Sequence, residues 1–215
     1  MISYNGVYPE VRRIRINMKV SSLLERLEYT CCQGSVEQEV STVEYDSRKV
    51  IENSLFICIK GAVVDGHKFV LDVVAKGAKT LVVQDDVEAP QDVTVIKVED
   101  TRYAMAFISA AYFGHPAEQL KTIGITGTKG KTTTTYMVKS ILENAGYKVG
   151  LIGTIEAIIG DEVIPAANTT PESFVVQKYF RKMVDAGCDC VVMEVSSQGL
   201  MLHRTAGIPF EIGIF

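Results

Sequence analysis

No apolar run in this 215-residue sequence reaches the roughly 18–20 residues that a membrane-spanning helix needs. The N-terminal stretch MISYNGVYPEVRRIRINMKV also lacks the apolar core of a secretion signal. Histidine is scarce. His67, His115 and His203 are scattered with no metal-ligand spacing between any two, so a histidine metal centre is not expected. Cysteine occurs five times (Cys31, Cys32, Cys58, Cys188, Cys190) but never as CxxC, and adjacent or alternating cysteines chelate zinc poorly. They read as reduced thiols in a cytoplasmic protein. Neither charge sign dominates: 22 basic residues against 26 acidic give a net −4, no electrostatic ground for a nucleic acid or an anionic membrane as partner. Internal repeats, low-complexity tracts and a Ser/His/Asp arrangement for nucleophilic catalysis are all missing.

What is present is a 47% hydrophobic chain arranged as two α/β segments joined near YFGHPAEQLKT. In the first, residues 55–60, 80–84 and 93–98 are short β-rich runs. Helical spacing covers 66–78 and 100–114, with Asp100 as N-cap of the second. A further amphipathic helix is expected at KVSSLLERL, directly after Met18. The second segment opens with a strand at 122–126, a helix from about Lys131 to Ala145 and a strand at 148–154. A hairpin is expected around Gly160 and Asp161. The stretch TPESFVVQKYFRKMVDAG then predicts a helix with Thr170 as N-cap, Pro171 at its first position and Gly187 as stop. CVVMEV (190–195) is apolar enough to be buried on both faces of a parallel sheet. FEIGIF (210–215) reads as another buried strand, inside which the chain stops. The expectation is therefore of a fragment.

GITGTKGKTTTTYM, from Gly124, places a glycine-rich turn between a strand and a helix. Such a turn lets backbone N–H groups converge on an anion, and the helix N-terminus adds its partial positive charge. Gly127 and Gly130 allow close approach of backbone to phosphate. Lys131 reaches toward the outer phosphates, and Thr132 offers a hydroxyl to Mg²⁺. The strict G-x-x-x-x-G-K-[ST] pattern fails, because Ile125 stands where it needs glycine; the pattern is the shorter G-T-x-G-K-T. Glu194, at the C-terminal end of CVVMEV, lies on the edge where parallel α/β sheets carry ligands and is a second candidate for Mg²⁺.

Five stretches occur in order: DSR (46–48), GAVVDGH (61–67), GTKGKTT (127–133), NTTPE (168–172) and MEVSSQGL…HR (193–204). Together they resemble the Mur ligases, ATP-dependent amide-forming enzymes of peptidoglycan precursor synthesis. The likeness is strongest to members that add the third residue of the stem peptide, and it runs from about Met18 to Phe215. It implies an N-terminal α/β domain (18–118) for the UDP end of the substrate, followed by an incomplete parallel-sheet ATP-binding domain (119–215). A third domain is expected to be absent, and residues 1–17 to be an upstream extension.

The resemblance implies roles by position. Tyr45 and Ser47 fall where the family holds UDP, and this assignment rests on resemblance alone. Asn168, Thr169, Thr170, Ser196 and Arg204 fall where it contacts the sugar-peptide. Gly127, Thr128, Lys129, Gly130, Lys131, Thr132 and Thr133 form the ATP loop. Thr132 and Glu194 are the Mg²⁺ ligands, and Lys131 and Glu194 the catalytic pair. The implied substrates are ATP, UDP-MurNAc-L-Ala-D-Glu and a diamino acid, meso-diaminopimelate or L-lysine. Three positions depart from the common pattern: Lys129 in place of asparagine, Gln198 in place of histidine, and Leu202 where some members use a polar contact. As a fragment, the chain is expected to be inactive as a ligase. Two other readings stay open. One is a related ligase such as folylpolyglutamate synthase, against which the DSR and DGH segments argue; the other is a non-catalytic nucleotide-binding module.

Overall fold

The computed structural model describes residues 17–61 and 64–215. The expected extension lies outside these residues except for Asn17, as does the middle of the 61–67 motif. In the first half the elements are β1 (Met18–Lys19), α1 (Val20–Leu23), β2 (Thr30–Gln33), β3 (Glu39–Val40), β4 (Thr42–Glu44) and β5 (Ser54–Ile57). A 3₁₀ turn at Gly66–Phe69 leads into α2 (Val70–Ala75), then β6 (Ala78–Val83), β7 (Thr94–Lys97) and α3 (Thr101–Tyr112). The second half has a 3₁₀ turn at Pro116–Gln119, β8 (Lys121–Ile125), α4 (Lys131–Asn144), β9 (Val149–Ile152), β10 (Glu156–Ile159) and β11 (Glu162–Pro165). It continues with α5 (Ser173–Asp185), β12 (Cys190–Glu194), α6 (Ser197–Met201) and β13 (Ile212–Ile214). Among the described residues no helix is long and apolar enough to cross a membrane.

Among the described residues β1 and β3 pair as a small antiparallel ribbon, and the other strands form two larger sheets, both mostly parallel, as an α/β chain requires. The first has the order β2-β7-β6-β5-β4, parallel except for the antiparallel edge strand β2. Period-two alternation sends Leu55 and Ile57 to one face and Phe56 to the other. The first face packs on Leu23 of α1 and Met105 and Ile108 of α3; the second packs on Val70 and Val73 of α2. The other sheet has the order β11-β10-β9-β12-β8-β13, with β9, β12, β8 and β13 parallel and a β10–β11 hairpin turning at Gly160 and Asp161. Its central strand β12 is buried at every residue. Val191 and Met193 meet Val176, Phe180 and Met183 of α5, while Cys190 and Val192 lie on the α4 face with Val138 and Leu142.

Several sequence expectations need correcting. KVSSLLERL yields only the four-residue helix α1. Asp100 caps α3 as expected, accepting from the N–H groups of Arg102 and Tyr103. Thr170 does not cap α5, which begins at Ser173 after Glu172. The Thr170 hydroxyl instead donates to the Glu194 carbonyl at 2.9 Å and accepts from the Ser196 N–H at 2.9 Å. The final strand β13 is not buried: it pairs with β8 on one side only, and Ile212 is 52% exposed.

The two sheets meet along a seam where α3 packs on α5. Phe174 of α5 sits among Tyr45, Tyr112 and Phe113 of the first half, at ring-centroid distances of 5.6, 6.2 and 5.2 Å. Beside it, the Glu172 carboxylate accepts from Arg102 at 3.2 Å and from Arg204 at 2.7 Å.

Candidate active site

Parallel strands in one sheet deliver their C-terminal ends to one edge, and the loops there converge. β8 leads into the glycine loop, β12 ends in Glu194 and β9 leads into Gly153 and Thr154. The loop residues Gly127 and Gly130 take φ values of +135° and +80°, a region open to glycine and strained for other residues. This lets the chain reverse from β8 into α4 within five residues, 126–130. Thr126 N–H donates to the Ile214 carbonyl at 2.9 Å, tying the loop's start to β13. Lys131 folds back so that its ammonium donates to the Gly127 carbonyl at 2.8 Å. Thr128, Lys129, Gly130 and Thr133 are exposed.

Glu194 is 1% exposed. A carboxylate so placed is tolerable only if hydrogen bonds replace its water, and three donors do so. Thr132 Oγ1 donates to Oε2 at 3.1 Å, the Thr154 N–H to Oε1 at 2.9 Å and Thr154 Oγ1 to Oε2 at 3.0 Å. The structure thus joins Thr132 and Glu194, two residues that the sequence separates by 62 positions. Both offer hard oxygen ligands, and Mg²⁺ in nucleotide sites is held by few protein oxygens together with substrate phosphates. The donor set fits that ion. Behind it, Tyr136 Oη donates to Glu156 at 2.8 Å; burial, and then this bond, pushes its phenol up to about 12.

The other expected residues divide. Asn168 is exposed, and with Tyr45 and Glu172 it lines a cavity of about 310 Å³ at the seam, where Gly153, Val175 and Tyr179 also contribute. Burial, then the charge of Glu172, raises the Tyr45 phenol, which stays a neutral donor. Ser47 is not among the cavity's lining; its carbonyl accepts from Lys76. Thr169 reaches Thr154, hydroxyl to hydroxyl, at 3.0 Å. Thr170 is 1% exposed, and its hydroxyl donates its one proton within the fold and accepts from the Ser196 N–H. Ser196 Oγ accepts from Gly199 N–H and caps α6. The Arg204 guanidinium donates to the Thr170 carbonyl at 2.9 Å and to Glu172. These last three brace the site's wall. To the expected site residues the geometry adds Thr154 and Glu172, whose one signal in the sequence is position, just past a strand and at the end of the NTTPE stretch.

One cluster elsewhere, Asp65, His67 and Asp85, brings metal-binding groups within 4.8 Å of one another. His67 Nε2 accepts from the N–H groups of Gln84 and Asp85, which places its proton on Nδ1, bonded to Asp65 at 2.6 Å. With both ring nitrogens engaged, His67 works as a latch between the 3₁₀ turn and the end of β6.

Residues 125–215 match the family model of the Mur ligase middle domain, and residues 39–113 that of the Mur ligase family catalytic domain. The chain belongs to the Mur ligase family. The UDP-N-acetylmuramoyl-L-alanyl-D-glutamate--2,6-diaminopimelate ligase of Clostridium perfringens is 52% identical to this Mur ligase chain over 198 residues, covering 92% of it and 41% of the relative. The protein of the same name from Clostridium tetani is 48% identical over 201 residues. The chain therefore spans about two fifths of the length of these curated relatives. A solved structure of a UDP-N-acetylmuramoyl-L-alanyl-D-glutamate--2,6-diaminopimelate ligase matches with a TM-score of 0.76 over 92% of this chain and 40% of that one, at 20% identity, which speaks to the fold. MurF from Acinetobacter baumannii matches with a TM-score of 0.56 at 25% identity, over 84% of this chain and 36% of its own.

Proposed function

We propose that this chain supplies the UDP-substrate and ATP-binding parts of a ligase that joins 2,6-diaminopimelate to UDP-MurNAc-L-Ala-D-Glu. Residues 18–118 form the first part and 119–215 the second. The observation that carries the reading is the Gly127–Thr133 loop, with Thr132 bonded to the buried Glu194 at the C-terminal edge of a parallel sheet. The names borne by the relatives support the choice of substrate. The proposal places the protein in the cytoplasm, where its five unpaired cysteines stay reduced.

In this reading, the loop's backbone N–H groups and the start of α4 receive the phosphates of ATP, and Lys131 leaves the Gly127 carbonyl for the outer phosphates. Mg²⁺, held by Thr132 and Glu194, supplies charge neutralisation between two anions that otherwise repel. An oxygen of the D-glutamate γ-carboxylate bonds to the γ-phosphorus as the bond to ADP breaks. The amine of the incoming diamino acid then attacks the activated carbonyl carbon, releasing phosphate and a proton. No side-chain nucleophile is needed. Tyr45 and Asn168, on the seam cavity, contact the UDP-sugar-peptide.

Calorimetric titration of the chain with UDP-MurNAc-L-Ala-D-Glu, with UDP as comparison, tests the reading. Saturable binding of the dipeptide form, tighter than UDP, is expected. A sample that is folded by circular dichroism and binds neither would overturn it.

A further inference from the structure

Thr154 connects the two halves of the proposed chemistry. The turn it occupies, between β9 and β10, is shaped around Glu194: its N–H holds Oε1 and its hydroxyl holds Oε2. A Cβ at Gly153 would stand 2.6 Å from Oε1, so the turn leaves no room for a side chain there. An ionised carboxylate only accepts. Thr154 therefore spends its one proton on Glu194, and the 3.0 Å bond to Thr169 must run from the Thr169 hydroxyl to Thr154 Oγ1. A directed chain results, Thr169 to Thr154 to Glu194. It begins in the 168–170 segment and ends on the carboxylate beside Thr132.

We infer that Thr154 is a positioning residue that couples cation occupancy at Glu194 to the placement of the substrate segment at Thr169. The inference rests on reading Thr132 and Glu194 as the Mg²⁺ ligands. Oε2 now accepts two hydroxyl protons, from Thr132 and Thr154, which fill its two lone pairs, whereas Oε1 accepts one N–H. A cation on Oε2 replaces one of those donors. Thr132 is the donor that can leave, because its own oxygen turns to the same cation. Thr154 stays, since its N–H also anchors it on Oε1. The carboxylate then shares its charge with a dication and accepts less strongly from Thr154, and the change passes along the chain to Thr169. Linkage is reciprocal, so a substrate that fixes Thr169 must alter the affinity for the cation by the same factor.

The test compares Thr154→Val, which keeps the N–H and the volume but loses the hydroxyl, with Thr154→Ser, which keeps the hydroxyl. Mg²⁺-dependent ADP binding is titrated with and without saturating UDP-MurNAc-L-Ala-D-Glu. Removing a partner that orients a metal ligand costs about 10–100-fold in metal affinity, and that loss is expected in Thr154→Val. The dipeptide substrate is expected to change ADP affinity in the wild type but not in Thr154→Val, and Thr154→Ser restores both effects. Thr169→Val cuts the chain at its outer end and is expected to abolish the coupling as well, which covers a poorly folding Thr154→Val. Wild-type coupling in Thr154→Val or in Thr169→Val overturns the proposal, as does equal loss in Thr154→Val and Thr154→Ser. A wild type that binds ADP without regard to Mg²⁺, or binds none, overturns the metal-site reading along with it.

Discussion

Lys131 spends its charge on its own loop, donating to the Gly127 carbonyl at 2.8 Å. A lysine so placed is pre-aimed at whatever anion the loop receives, and exchanging a neutral carbonyl for a phosphate strengthens its bond. Lys131→Ala is expected to weaken nucleotide binding by about 1.5–3 kcal/mol, the scale of a hydrogen bond to a charged group, as read by calorimetry. A second test concerns Asp46, which the Arg48 guanidinium grips at 2.9 and 2.8 Å and holds down to about 2. A depressed carboxyl adds stability that is complete above the unfolded group's range near pH ~4 and is lost as pH falls toward the folded value. Arg48→Ala is expected to raise the Asp46 midpoint from about 2 toward ~4 in a carboxyl-carbon NMR titration. The pair is largely exposed on the Arg48 side, so the change in overall stability stays small.

Elements whose sequence carries a local signal were legible. The unbroken apolar run of β12 announced a strand covered on both faces, and Asp100 announced the start of α3. The start of α5 was misread because threonine followed by proline is a valid cap signal, while the competing partners of Thr170, the Glu194 carbonyl and the Ser196 N–H, lie 24 and 26 residues away. The apolar residues of β13 do form a strand, but an exposed one, because an apolar strand at a sheet edge looks the same in sequence as a buried one at the centre. α5 owes its place to one buried face, of which Phe180 is the largest member at 0% exposure. Phe180→Ala is expected to cost about 3–5 kcal/mol, measured by chemical denaturation.

At the scale of the molecule, the seam binds two sheets that each have cores on both faces. Phe174 makes three aromatic contacts across it, each worth roughly 0.5–1.5 kcal/mol beyond burial. Phe174→Ala is therefore expected to split one calorimetric unfolding transition into two. The glycine loop was legible because its residues are contiguous. Thr154 and Glu172 were not, because their meaning lies wholly in long-range partners: Glu194 for the first, Arg102 and Arg204 for the second.

The Glu172 carboxylate is shared between an arginine 70 residues before it and another 32 residues after it. Chains are made from the N-terminus, and their parts fold in that order. Arg102 and its sheet are in place first, and Glu172 meets one guanidinium while the second is still unmade. Only when Arg204 emerges, with β12 and Glu194 already behind it, can both oxygens be engaged. Glu172, on the wall of the seam cavity, thus stays half-paired until the carboxylate at the end of β12 has been laid down.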